Sequence, residues 1–213
     1  MFAAIFWDND GVLMETEYLY YRANAEALAR VGVELSLDAF REVSLRRGES
    51  VLQLAAESEP ELRQWRDTRY RELLGEEAQV IPGVAETLAR LHGRLPMAIV
   101  TSCRSENFFH MHRKSGLLGY FDFILTREEY GNSKPDPEPY LTACLRAGVA
   151  PGDCLAVEDS ERGVIAAARA GLAVAAIPGL MNCGGDFAAA RWRLDSVRQV
   201  PELPGLAWVH QPG

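Results

Sequence analysis

At 213 residues, with 48% hydrophobic and 24% charged residues, the chain can bury one sizeable core, or one core and a small satellite domain, and has the make-up of a soluble globular protein. Its net charge of −8 argues against nucleic acid and anionic lipid as partners, although a metal and a few local cations can reverse the field inside one pocket. No apolar run reaches the roughly 18 residues that span a bilayer, the opening MFAAIFW is too short for a secretory signal, and Cys103, Cys144, Cys154 and Cys183 lack Cys-x-x-Cys spacing, so the expectation is a cytoplasmic protein with reduced thiols and no membrane partner, monomer or homodimer.

In chain order, residues 3–7 form a short apolar run that ends at Asp8-Asn9-Asp10, the pattern of a buried strand delivering carboxylates at its C-terminal end. Helical spacing follows over 17–31 and stops at Gly32. Residues 37–78 are polar, rich in Arg and Glu, and predict several amphipathic helices. Pro82-Gly83 marks a boundary, beyond which the period changes. A helix over 84–92, a strand over 97–100, a helix over 106–115, a strand over 121–125, a helix over 137–147, a strand over 154–157, a helix opening near Gly163 and a strand over 173–177 come next, and the tail after about Asp195 carries little signal. Strands alternating with helices imply a parallel sheet, which makes this an α/β chain with a Rossmann-like core. The helical block interrupts the alternation after the first strand. It reads as an inserted small α-helical cap, residues 15–81, on a core made of 1–14 and 82–213, with 14–17 and 79–82 as the hinge.

Three predicted strands end in polar residues: Asp8 and Asp10, Thr101 and Ser102, Glu158 and Asp159. Ligands of open α/β sheets lie beyond the carboxyl ends of the strands, so these groups should meet in one crevice, which Lys134 of the loop SKPDP can join. Four carboxylates cannot stay ionised together without a cation, and oxygen-only ligation suits Mg²⁺. Thr101, Ser102 and Lys134 are donors, and donors facing a metal suit a phosphoryl group. The chain has only two lysines, Lys114 and Lys134, among 22 basic residues, so a lysine at this point argues for a role.

The stretch IFWDNDGVLMETE resembles the first motif of the haloacid dehalogenase superfamily, AIVTSCR the second, NSKPDPEPY the third and LAVEDSERGVIAAARAG the fourth. All occur in order, and the helical insertion resembles that of the capped group containing β-phosphoglucomutase and phosphoglycolate phosphatase. The resemblance implies that Asp8 attacks phosphorus and becomes an aspartyl-phosphate, while Asp10 protonates the leaving oxygen and then activates water. It places Mg²⁺ on Asp8, the Asp10 carbonyl and Asp159, with Glu158 as a direct ligand or one step removed. Thr101, the Ser102 amide and Lys134 bind the phosphoryl group.

The expected function is a magnesium-dependent phosphatase acting on a small phosphorylated metabolite, a sugar or polyol phosphate. The cap contains no lysine, which excludes a Schiff-base phosphonate hydrolase, and Asp10 argues against carbon–halogen hydrolysis. A sugar-phosphate mutase is the main alternative, yet the cap His and Arg of β-phosphoglucomutase are matched here by Tyr20 and Val51. A non-catalytic phospho-ligand module would have lost the nucleophile or the lysine, and both are present. Tyr20, Tyr21, Arg46, Arg47 and Glu49 are the cap residues that are candidates for facing the substrate, each equally readable as a solvated or packed side chain. His110 and His112 read as surface or packing residues.

Overall fold

The computed structural model describes residues 1–206. Its elements are β1 (Ala4–Trp7), β2 (Met14–Glu15), α1 (Glu17–Ala29), α2 (Leu37–Phe40), α3 (Glu59–Glu77), β3 (Gln79–Val80), α4 (Val84–Leu91), β4 (Met97–Val100), α5 (Ser105–Met111), β5 (Phe123–Leu125), α6 (Glu138–Ala147), β6 (Cys154–Glu158), α7 (Glu161–Arg169), β7 (Ala173–Ala176) and β8 (Trp192–Arg193). Six strands form one parallel sheet in the order β5-β4-β1-β6-β7-β8. The chain moves from β1 outward through β4 to β5, then returns to the other side of β1. The strand order reverses there, which opens a crevice at the carboxyl ends of β1, β4 and β6.

The central strands are unbroken apolar runs because both of their faces are covered. Side chains alternate between faces. Ile5, Trp7, Met97, Ile99, Leu155 and Val157 join the cluster of Val84 and Leu88 from α4 and Phe108 from α5. Phe6, Ala98, Val100 and Ala156 join Tyr140 and Ala143 from α6 and Val164 and Ala167 from α7.

Between β2 and β3 the chain is helical and has its own apolar centre of Ala27, Leu28, Phe40, Val51, Leu52 and Leu62. Ser36 caps α2 through its side-chain oxygen, a π-helical turn covers Arg41–Arg46, and Pro60 opens α3. The segments expected to form the hinge lie side by side as an antiparallel ladder, with Met14 opposite Val80 and Glu15 opposite Gln79.

The tail is more ordered than its sequence suggests. Residues Val197, Val200, Leu203 and Leu206 complete one core, and β8 adds a sixth strand. A two-residue edge strand is too short to show a period, and the tail's apolar anchors are separated by polar residues and prolines. The helix expected over 106–115 leaves α geometry after Met111 and finishes as a 3₁₀ turn, His112–Lys114. Among the described residues no helix is long and apolar enough to cross a membrane.

Candidate active site

Asp8 follows β1 directly, and its amide donates to the Val157 carbonyl at 2.9 Å, so the strand ladder fixes where it stands. The chain then turns tightly. The Asn9 carbonyl accepts from the amides of Leu13 and Met14 at 2.8 and 3.0 Å, and Gly11 adopts φ +78°. A Cβ at Gly11 would overlap the Asp159 carboxylate, so the glycine is required twice over, for its backbone angle and for space. The turn returns Asp10 to the crevice, where Oδ1 accepts from Thr16 at 2.5 Å and Oδ2 from Thr101 at 3.4 Å. The Asn9 side chain points into the fold, with Oδ1 2.7 Å from His112 Nε2. His112 is thus a packing residue. Burial pushes its pKa down to about 4, so the ring is neutral.

The other strands deliver their groups to the same place. Lys134 Nζ donates to Asp8 Oδ1 at 2.9 Å, to Glu158 Oε1 at 2.6 Å and to the Val100 carbonyl at 2.9 Å. Tyr140, buried on α6, donates to the same Glu158 oxygen at 2.5 Å. Gly163, in the first turn of α7, leaves room for the Glu158 carboxylate where any Cβ would collide with it. Thr101 is buried, its Oγ1 accepts from the Cys103 amide at 3.0 Å, and Ser102 is exposed toward the cavity.

The electrostatics follow from this crowding. Burial, and then the charge of Asp8, raise the pKa of Asp10. Burial and Asp8 push Glu158 up to about 7 against the pull of Lys134. Burial and then Glu17 hold Asp159 well above the carboxylate range. Burial opposes the charge of Lys134, but Asp8 and Glu158 outweigh it and hold the ammonium above its usual range. Asp8, Glu158 and Asp159 each place a carboxylate oxygen within 4.8 Å of the other two. These buried oxygen donors, crowded by like charge, fit a hard divalent cation. The Asp10 carboxylate is outside this set and faces the two threonines.

A cavity of about 490 Å³ rises from these groups to the helical insertion. Tyr20 and Glu49 line it. Tyr21 and Arg47 do not, and take the packed and the solvated alternative instead. The Tyr21 hydroxyl donates to the Leu35 carbonyl at 3.0 Å, and its ring packs on Phe40. Arg47, half-exposed, pairs with Glu42 at 3.7 Å and Glu49 at 3.5 Å. Arg46 reaches instead to the Gly184 carbonyl.

Sequence reasoning missed Arg66, Asp67, Tyr70, Glu17 and Asn182, all of which line the cavity. Arg66 is buried on α3, with Nη1 donating to the Tyr20 hydroxyl at 2.7 Å and Asn24 at 3.0 Å, and Nε to Asp67 at 2.7 Å. One of nine arginines from Arg22 to Arg71, it carries no mark in the sequence that distinguishes it from the solvated ones. Glu17 sits at the end of the first motif and could have been noticed there. Asn182 lies in a loop with no signal.

A parallel sheet that gathers acids and one lysine at its switch point is an arrangement suited to a metal and a phosphoryl group. The model of the haloacid dehalogenase-like hydrolases matches residues 5–177, and the chain belongs to that family. It is an enzyme of the phosphatase type. Protein CbbY of Rhodobacter capsulatus is 30% identical over 94% of this chain and 98% of its own length. A phosphorylated carbohydrates phosphatase of Thermotoga maritima is 33% identical over 79% of this chain and 82% of its own. The crystal structure of CbbY from Rhodobacter sphaeroides in complex with phosphate superposes with a TM-score of 0.81 at 28% identity, covering 97% of this chain and all of that one.

Proposed function

We propose that the chain is a Mg²⁺-dependent phosphatase of a small phosphorylated metabolite, a sugar or polyol phosphate, working through an aspartyl-phosphate on Asp8. The observation that carries this reading is the Lys134 ammonium bridging Asp8 and Glu158, with Asp159 completing the acidic cluster. Asp8, Glu158 and Asp159, with the Asp10 carbonyl, would hold the cation. When bound, it neutralises the cluster against the incoming anion and polarises the phosphoryl oxygens.

The chain's own residues supply the rest. Lys134, Thr101 and the Ser102 amide bind the phosphoryl oxygens and align phosphorus with Asp8. An Asp8 oxygen attacks, the bond from phosphorus to the leaving oxygen breaks, and Asp10 gives that oxygen its proton. After the alcohol leaves, Asp10 takes a proton from water, the water oxygen attacks phosphorus, and the bond to Asp8 breaks to release phosphate. Thr16 and Thr101 aim Asp10 for both transfers.

The substrate class rests on the cavity wall and on the relatives. Arg66 and Asp67 set a donor beside an acceptor, with Tyr20 and Tyr70 next to them, a combination suited to hydroxyls and a sugar face. The Tyr20 hydroxyl accepts from Arg66 and Val51 is apolar and buried, so neither supplies the imidazole or guanidinium that a mutase has at these positions. We take 15–81 as a cap that swings on the β2–β3 ladder to admit substrate and shut out water.

The test is a panel of phosphorylated metabolites, assayed for phosphate release with Mg²⁺ and with EDTA. Release from sugar or polyol phosphates that stops in EDTA is the expected result. Turnover undiminished in EDTA would overturn the metal assignment, and interconversion of sugar phosphates with little phosphate release would replace phosphatase by mutase.

A further inference from the structure

The loop 178–186 follows β7 and belongs to the sheet half, yet the helical half grips it. Met181 is buried in the apolar centre of the insertion with Leu28, Phe40 and Leu52. The carbonyls of Leu180 and Gly184, on either side, accept from Arg41 at 2.9 Å and from Arg46, both in the π-helical turn. Between them stands Asn182, 7% exposed. Its amide nitrogen donates to Asp159 Oδ2 at 2.7 Å and to Glu17 Oε1 at 2.7 Å. Both amide hydrogens are used, one on a carboxylate of the sheet half, the other on the first residue of α1.

We propose that Asn182 is a positioning residue that couples the seating of the helical insertion to the aim of Asp159, so that the cation site is complete only when the two halves are together. This rests on the metal-dependent reading above. With the insertion seated, Met181 is locked and the amide is held between its two acceptors. With the insertion swung away, Glu17 departs, Met181 loses its pocket, and the amide keeps only the loop's own turns and Asp159 to hold it. Groups that orient a metal ligand through a hydrogen bond set metal affinity. By reciprocity, cation binding then favours closure to the same degree.

The test uses the full chain and Mg²⁺ alone, without substrate. The Mg²⁺ concentration giving half of the maximal rise in Tm is read for each variant. Asn182→Ala should raise it by about 10-fold or more, while Tm in EDTA stays close to that of the parent chain. Met181→Ala keeps the amide but loosens its anchor, and should shift the midpoint the same way by a smaller factor. Cys183→Ala, exposed on the same loop, should leave it unchanged. With an aryl phosphate, lost Asn182→Ala activity should return at high Mg²⁺. An unshifted midpoint in both Asn182→Ala and Met181→Ala, or an equal shift in Cys183→Ala, overturns the coupling alone. No effect of Mg²⁺ on the parent chain overturns the metal-dependent reading and the coupling with it.

Discussion

On the sheet side of the cavity, Lys134 and Glu158 are 4% and 0% exposed, and their partners come from β1, β4 and α6. On the helical side, Arg47 leans on Glu42 and Glu49, and Arg63 on Glu59, half-exposed pairs within a turn or so of one another. Removing one partner of a buried pair costs about 3–5 kcal/mol, whereas an exposed pair contributes about 0–1 kcal/mol. The groups proposed to carry the chemistry therefore sit where misplacement is expensive, and the exposed pairs of the helical half can change at little cost to the fold. Arg66 is the exception on the helical wall, because it is buried and held from three sides.

The contrast is broken most severely at the strand ends. Asp8→Asn should lower kcat on an aryl phosphate by more than about 10⁴-fold. Asp10→Asn should lower it by about 10²–10⁴-fold while Asp8 still takes up phosphate, detectable as a phosphoryl adduct by mass spectrometry. Substantial turnover by Asp8→Asn would move the chemistry to another wall.

Next in size is a stability effect beneath the sheet side. The His112 pKa is about 4 in the fold and about 6.5 when unfolded. Between these values the unfolded chain takes up a proton that the folded chain refuses. The contribution is complete above pH 6.5 and is lost as pH falls toward 4, by up to about 3 kcal/mol. His112→Gln should therefore lower Tm at pH 7 but flatten its decline between pH 7 and 4 in calorimetry. An unchanged slope would assign acid lability to other groups.

The smallest effects sharpen the helical side. Arg66→Ala should lower kcat/KM for a sugar phosphate, relative to an aryl phosphate, by about 1–3 kcal/mol. Arg47→Ala should change that ratio by less than about 0.5 kcal/mol. A larger effect at Arg47 would mean that the cavity wall is drawn from the wrong residues.

What could be read from the sequence divides along the same line. Buried strands ending in polar groups are visible because an apolar run abuts them, so the sheet and the places of Asp8, Thr101 and Glu158 at its strand ends are legible in the sequence. Lys134 stood out against an arginine-rich background. The helical wall was opaque because facing the cavity depends on how α1 and α3 pack, and Arg66 looks like Arg63 or Arg69 in the sequence. Tyr21 and Arg47 suit a substrate by residue type, but one is turned inward by Phe40 and the Leu35 carbonyl, and the other is held by Glu42. Asn182 and β8 were invisible because each acquires its setting only from distant segments.

Gly11 carries a consequence for interpreting variants. A side chain there would press on the Asp159 carboxylate, far away along the chain. An alanine at this turn would thus behave in an assay as though the lesion were in the fourth motif. On the metal-dependent reading, added Mg²⁺ would offset the part of the loss that comes through Asp159, and a second substitution at Asp159 would add little to that part. Residues remote in the gene would then report as one functional unit, joined by a shared volume too small for a methyl group.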